Sequence, residues 1–152
     1  MLNDTVVFQF VADKMYCFTV PTGMFVAKRE KEPFVTGNSG KDSTKVDRSG
    51  AYMARYIAKN IVASGITDEC TVQLSYAIGV AEPVGLYIEG KGLTAEQNDS
   101  LSNQVRNQMS LTPRGIIDRF GLRDPKFYET SKHGHFGNED FAWEKLDLKF
   151  EI

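Results

Sequence analysis

The stretch Ser39-Gly40-Lys41-Asp42-Ser43-Thr44-Lys45-Val46-Asp47-Arg48-Ser49 gathers three cations and two carboxylates into one short polar run. That mixture suits the chemistry of anions. Lys41, Lys45 and Arg48 can hold phosphate oxygens, while Asp42 and Asp47 can steer those cations or carry a divalent ion that bridges phosphates. The plainer alternative is a capped helix with a solvated, charge-balanced loop in front of it.

A helix must follow for the run to act as an anion site. From Ala51, the residues Ala51, Ala54, Ala58 and Ile61, with Met53, Ile57 and Val62 beside them, recur at helical spacing and form one wide apolar stripe. Arg55 and Lys59 fall on the other face. Asp47 or Ser49 is the expected acceptor for the first-turn amides, and Gly65 the expected left-handed stop. A helix start carries unpaired N–H groups and partial positive charge, so the cationic run in front of it is a place where an anion is stabilised.

The run from Ser39 to Tyr52 resembles the late active-site loop of the methionine adenosyltransferases, the S-adenosylmethionine synthetases. Further blocks follow in that family's order and spacing. They are Arg55-Tyr56-Ile57-Ala58-Lys59-Asn60-Ile61-Val62-Ala63, Gln73-Leu74-Ser75-Tyr76-Ala77-Ile78-Gly79-Val80-Ala81-Glu82-Pro83, Arg114-Gly115-Ile116-Ile117, Gly134-His135-Phe136-Gly137 and Trp143-Glu144-Lys145. The likeness covers roughly residues 39–145. Just before it, Phe34-Val35-Thr36-Gly37-Asn38 stands where the family has a glycine-rich turn.

The resemblance implies a fold and a reaction. The fold is α+β, in two layers, with a mixed or largely antiparallel sheet covered on one face by helices, as in the family's C-terminal domain. In the reaction, the sulfur of L-methionine displaces the triphosphate of ATP from its 5′ carbon, and water then splits the triphosphate into phosphate and diphosphate. By position, Lys41 matches a lysine on the ATP phosphates and Lys45 one near methionine and the polyphosphate. Asp47 matches a metal-associated acid, and Gly37 a residue whose backbone lies against ATP. The family uses Mg2+ and K+ and builds each active site between two subunits.

The family's early His-Pro-Asp motif, its metal carboxylates and most of its nucleotide contacts lie in a longer N-terminal portion without counterpart in this sequence. The expectation is therefore a C-terminal fragment, residues 37–152, with little or no activity alone and an unassigned segment 1–36. Homo-oligomers or association with a full-length subunit are expected. Two other classes stay open: a non-catalytic interaction protein that pairs with a full-length subunit, and a polyphosphate-binding module.

Composition agrees with a compact unit. The 152 residues are 41% apolar, and a formal charge of −2 gives no reason to expect nucleic acid or an anionic membrane as partner. No apolar run has the length of a membrane span and Met1-Leu2-Asn3-Asp4 lacks a basic leader start, so a cytoplasmic location is expected. Cys17 and Cys70 are isolated thiols without metal-ligand spacing, expected to be reduced and structural.

The other elements follow from pattern. Val6 to Val11 and Tyr16 to Val20 have strand-like composition and Pro21-Thr22-Gly23 reads as a turn, so a hairpin is expected in segment 1–36, with Lys28-Arg29-Glu30-Lys31-Glu32 as a solvated connector. Val72, Leu74, Tyr76, Ile78 and Val80 alternate into a strand, Ala81-Glu82-Pro83 turns, and Val84, Leu86 and Ile88 return antiparallel with an apolar face for the first helix. Thr94 with Gln97 opens a second helix carrying Leu101, Val105 and Met109 inward, which Leu111-Thr112-Pro113 ends. A short third helix buries Ile116, Ile117 and Phe120 and stops at Gly121. His133 and His135 lack an identifiable third metal ligand, so the Gly-His-Phe-Gly turn is read as structural and Trp143 as closing the core edge.

Overall fold

The computed structural model describes residues 5–11, 24–29, 32–37, 45–123, 129–130 and 134–152. In chain order these form β1 (Thr5–Val11), β2 (Met24–Arg29), β3 (Glu32–Gly37), α1 (Val46–Ala63), β4 (Cys70–Ala77), β5 (Gly85–Gly90), α2 (Ala95–Gln108) and α3 (Pro113–Phe120), followed by a single 3-10 turn, Ala142–Glu144. The architecture is α+β. An antiparallel sheet runs in the order β1-β4-β5, and β2 and β3 make a separate antiparallel pair.

The alternation expected for β4 sets the layers. Cys70, Val72, Leu74 and Tyr76 are buried while Thr71, Gln73, Ser75 and Ala77 are only half-buried. Opposite them, Ile88 pairs with Val72 and Leu86 with Leu74, which continues the apolar face into β5. Helix α1 packs on β1 and β4, α2 on β5, and α3 on α1. Met53, Ala54, Ile57, Ala58 and Ile61 of α1 are completely buried, as the stripe predicts.

Helix α1 begins at Val46, earlier than the stripe suggests, and neither Asp47 nor Ser49 caps it. Lys45 is the N-cap without a side-chain bond, and its carbonyl accepts from the N–H groups of both Arg48 (3.0 Å) and Ser49 (3.2 Å). Backbone closure of the first turn thus replaces the expected side-chain cap. At the other end Gly65 takes φ +75°, as expected.

The β4–β5 hairpin departs from its pattern at the tip. The strand stops at Ala77, where Val80 N–H closes a turn onto Ala77 O (3.1 Å) through Gly79 at φ +84°. Ile78 and Val84, expected inside, are 84% and 56% exposed. Glycine permits the reversal early. Cover on the inner face fades from buried Ile88 through half-buried Leu86 to exposed Val84.

Helices α2 and α3 match their signals. The Thr94 hydroxyl accepts from Gln97 N–H (3.3 Å) while Gln97 Oε1 accepts from Thr94 N–H (2.9 Å), and Leu101 and Val105 are fully buried. Thr112 caps α3 by accepting from Gly115 N–H (3.1 Å), Pro113 opens it, and Gly121 ends it at φ +61°. Cys70 is buried, and burial pushes its thiol up to about 12; Cys17 lies outside the described residues.

Near the start of the chain, β1 occupies the first half of the expected hairpin and pairs with β4, Phe8 opposite Leu74. Its expected partner, 16–20, and the turn 21–23 lie outside the described residues. The basic run is not simply a connector. Lys28 and Arg29 close β2 against Pro33 and Glu32, because the β-branched and aromatic residues of Met24–Arg29 and Glu32–Gly37 favour strand pairing on either side of it.

Gly115 offers a sharp test of α3 packing. A Cβ there would stand 2.6 Å from the Cβ and 2.4 Å from the Oγ of Ser110. Gly115→Ala should cost about 1–3 kcal/mol through overpacking, read as a lower urea midpoint at unchanged slope. Adding Ser110→Gly should restore part of the loss; a strictly additive double variant would contradict the contact.

Candidate functional site: the N-terminal end of the first helix

The first turn of α1 gathers several of the residues singled out for chemistry. Lys45 is exposed at the N-cap, Asp47 is half-buried in the first turn, and Arg48 and Ser49 are buried behind them. The Ser49 hydroxyl is buried without a hydrogen-bond partner among the described residues. Gly37 is the last residue of β3, paired with Met24. Lys41 and Asp42 lie outside the described residues, so of the four candidate residues the structure brings Lys45 and Asp47 together.

Aromatic packing supports this turn from within. Tyr52, one turn further along α1, stacks on Trp143 at 3.9 Å between centroids and 9° between planes, and Phe136 meets it edge-on at 5.8 Å. The Tyr52 hydroxyl is 2.8 Å from His135 Nδ1, and Trp143 Nε1–H donates to the His135 carbonyl at 2.7 Å. Burial pushes the Tyr52 phenol up to about 12 against the opposing charge of Arg48. Burial, joined by Arg48, lowers His135 from its ordinary 6.5. Both groups are therefore neutral at pH 7, which fits a phenol donating to Nδ1.

Gly134 and Gly137, each at φ +89°, flank His135 and Phe136, and the turn serves as a structural support for α1. Among the described residues no group of three or more His, Cys, Asp or Glu side chains is placed to hold a metal. His133 lies outside them.

A charge cluster that the sequence reading missed fixes the support. Arg55 and Lys59 do not merely face away from the stripe. Both reach the carboxylate of Glu144, which is fully buried, at 3.1 and 2.9 Å. Glu144 also accepts from Gly137 N–H at 2.9 Å, and Lys59 donates to the Glu144 carbonyl at 2.8 Å. Burial alone would raise the carboxyl, but the bonds from Arg55, Lys59 and Gly137 outweigh it and hold it below its ordinary 4.5. The four-residue spacing of Arg55 and Lys59 was the available signal.

Each shift fixes a pH window. For His135 the lowered pKa means that the unfolded chain takes up a proton first, so stability is present above about 6.5 and falls as pH drops through that value. For Glu144 the contribution is complete above 4.5 and is lost as pH falls toward the lower folded-state value. His135→Gln should flatten the upper window of the stability–pH curve and Glu144→Gln the lower one. At neutral pH, Glu144→Gln should cost about 3 kcal/mol, because it strands two cations. Denaturation midpoints measured across pH check all three statements; a Glu144→Gln curve parallel to the parent in acid would contradict them.

Comparison with known proteins places these features. The family described as S-adenosylmethionine synthetase, C-terminal domain, matches residues 33–145. The S-adenosylmethionine synthase of Brachyspira hyodysenteriae is 54% identical over 113 residues, covering 73% of this chain and 29% of the relative. That of Wolinella succinogenes is 41% identical, covering 91% of this chain and 42% of the relative. Among solved structures, an unusual S-adenosylmethionine synthetase from Campylobacter jejuni superposes with a TM-score of 0.67 at 45% identity, over 78% of this chain and 32% of that one. The chain thus spans less than half the length of these relatives. No helix among the described residues is long and apolar enough to cross a membrane. On the matched span and on the α1 and Gly-His-Phe-Gly blocks within it, the chain belongs to the S-adenosylmethionine synthetase family, in the region of that family's C-terminal domain.

Proposed function

We propose that the chain contributes the polyphosphate-holding end of a methionine adenosyltransferase site, acting on ATP and L-methionine in the cytoplasm, and that residues 1–152 alone turn over little or no substrate. The observation that carries this reading is the N-cap position of Lys45, exposed at the positive end of an eighteen-residue helix with Asp47 in its first turn. Lys41 joins it on the ATP phosphates, and Gly37 offers backbone to the nucleotide.

The residues have distinct tasks. Lys45, near methionine and the polyphosphate, draws the leaving triphosphate toward the helix end as the sulfur–carbon bond forms and the carbon–oxygen bond breaks. Asp47 would hold Mg2+. One carboxylate fits that ion when the rest of its shell comes from phosphate oxygens and water, and the ion supplies charge neutralisation on the polyphosphate. K+ belongs to the same reading through family resemblance alone. The buried Tyr52, His135 and Trp143 keep the turn in place.

A second reading has its own support. Ile78, Val80 and Val84 leave an apolar patch, each half exposed or more, at the β4–β5 tip. A patch of that kind marks a protein contact. Homo-oligomerisation, or pairing with a full-length subunit without catalysis, would cover it.

Calorimetry with magnesium triphosphate tests the first reading. Affinity should fall steadily with added salt and drop about tenfold or more in a Lys41→Ala, Lys45→Ala double variant, the loss of two charge-assisted contacts. Unchanged affinity in a folded double variant would remove the phosphate clamp. It would leave the interaction protein, for which sedimentation of a Val80→Ser, Val84→Ser variant should show weakened self-association.

A further inference from the structure

Segment 146–152 lies beyond the family match and forms neither helix nor strand, yet it is held along its length. The grip comes from side chains of α1, of its C-cap Ser64 and of α2, and falls on main-chain atoms. Asn60 donates to Lys145 O (2.9 Å) and accepts from Leu148 N–H (3.0 Å), and Ser64 Oγ accepts from Phe150 N–H (3.1 Å). Gln108 donates to Lys149 O (3.2 Å). Gln104 brackets Glu151, donating to its carbonyl (2.6 Å) and accepting from its N–H (3.2 Å).

Amide side chains on two helices thus supply what a neighbouring strand would supply. Such contacts do not read residue type. Type is read at two places: Phe150 is 3% exposed and joins the core, and Leu148 is partly buried against it. Just before Leu148, Asp147 accepts from the Tyr56 hydroxyl, which also accepts from Arg119 at 2.5 Å. The segment does not fill its surroundings. A cleft of about 550 Å³ runs between it and the end of α1 at Ala63 and Ser64, and Leu146 and Ile152 stay mostly exposed.

We propose that Asn60, Ser64, Gln104 and Gln108 form a peptide-docking groove that recognises an extended Leu-x-Phe segment, and that segment 146–152 is its tethered occupant, exchangeable with the same segment of a second copy of the chain. The proposal is independent of the polyphosphate reading. Exchange between copies keeps the contacts of residues 147–152 named above and changes the path at Lys145 and Leu146, both exposed. In one copy the tether gives the internal segment a high effective concentration, so an external segment gains access when the internal one loses its Phe150 anchor.

The test uses the whole chain and a fluorescent peptide of residues 145–152. The Phe150→Ala chain should bind this peptide at least about tenfold more tightly than the parent chain, whose groove is occupied. The peptide carrying the same Phe→Ala change should bind neither. Adding Gln104→Ala and Gln108→Ala to the Phe150→Ala chain should weaken binding again. Failure of the peptide to bind a folded Phe150→Ala chain, or equal binding by a scrambled peptide, overturns the proposal. Hydrogen exchange on the unaltered chain decides independently of that variant's folding. The amides of Leu148, Phe150 and Glu151 should exchange about a hundredfold faster than those of Ile57 and Ala58, through local release. Exchange of both sets in one common opening would make the segment a fixed part of the core and overturn it.

Discussion

The ion cluster on Glu144 is the constraint from which the site follows. A carboxylate withdrawn from water is unfavourable unless opposite charges and hydrogen bonds replace its hydration. Arg55, Lys59 and the Gly137 amide do so together, each within about 3 Å. Because two of those partners sit one turn apart on α1, satisfying Glu144 also fixes where the turn Gly134 to Gly137 and the 3-10 turn lie along the helix. Trp143 and His135 are thereby delivered to Tyr52, and the first turn of α1 receives its backing.

That geometry explains why a charged helix start can be both rigid and receptive. Arg48 is buried beside groups that stay neutral, Tyr52 and His135, and exposed Lys45 stands at the positive end of the helix. Asp47 tempers this field locally, and the carbonyl of Lys45 closes the turn through backbone hydrogen bonds. The polyphosphate reading proposed above rests on this end of the helix, where Lys45 is exposed.

Much of this was legible in the sequence, and the division is physical. Local signals read well: the Thr94–Gln97 capping box, Pro113 and Gly121 around α3, the α1 stripe and the alternation of β4 each depend on residues a few positions apart. The resemblance extended that reading to the family and the fold. What escaped depends on distant partners. Nothing within α1 says that Arg55 and Lys59 meet a carboxylate 89 and 85 positions away, and nothing in Asn60 or Gln104 announces that they hold a strand-like segment. Ile78 and Val84 misled for the converse reason. An apolar residue in register is buried only where something covers it, and the hairpin tip runs past its cover. At the start of α1 a plausible side-chain cap gave way to backbone closure by Lys45.

Detection of S-adenosylmethionine by mass spectrometry tests the account most directly. The purified chain would be supplied with ATP, L-methionine, Mg2+ and K+ beside a Lys41→Ala control, in a sample shown by circular dichroism to be folded. The account predicts no product above the control, because a polyphosphate-holding helix end does not by itself align sulfur with carbon. Sustained product that disappears with Lys41 would contradict it and would assign the complete reaction to these 152 residues.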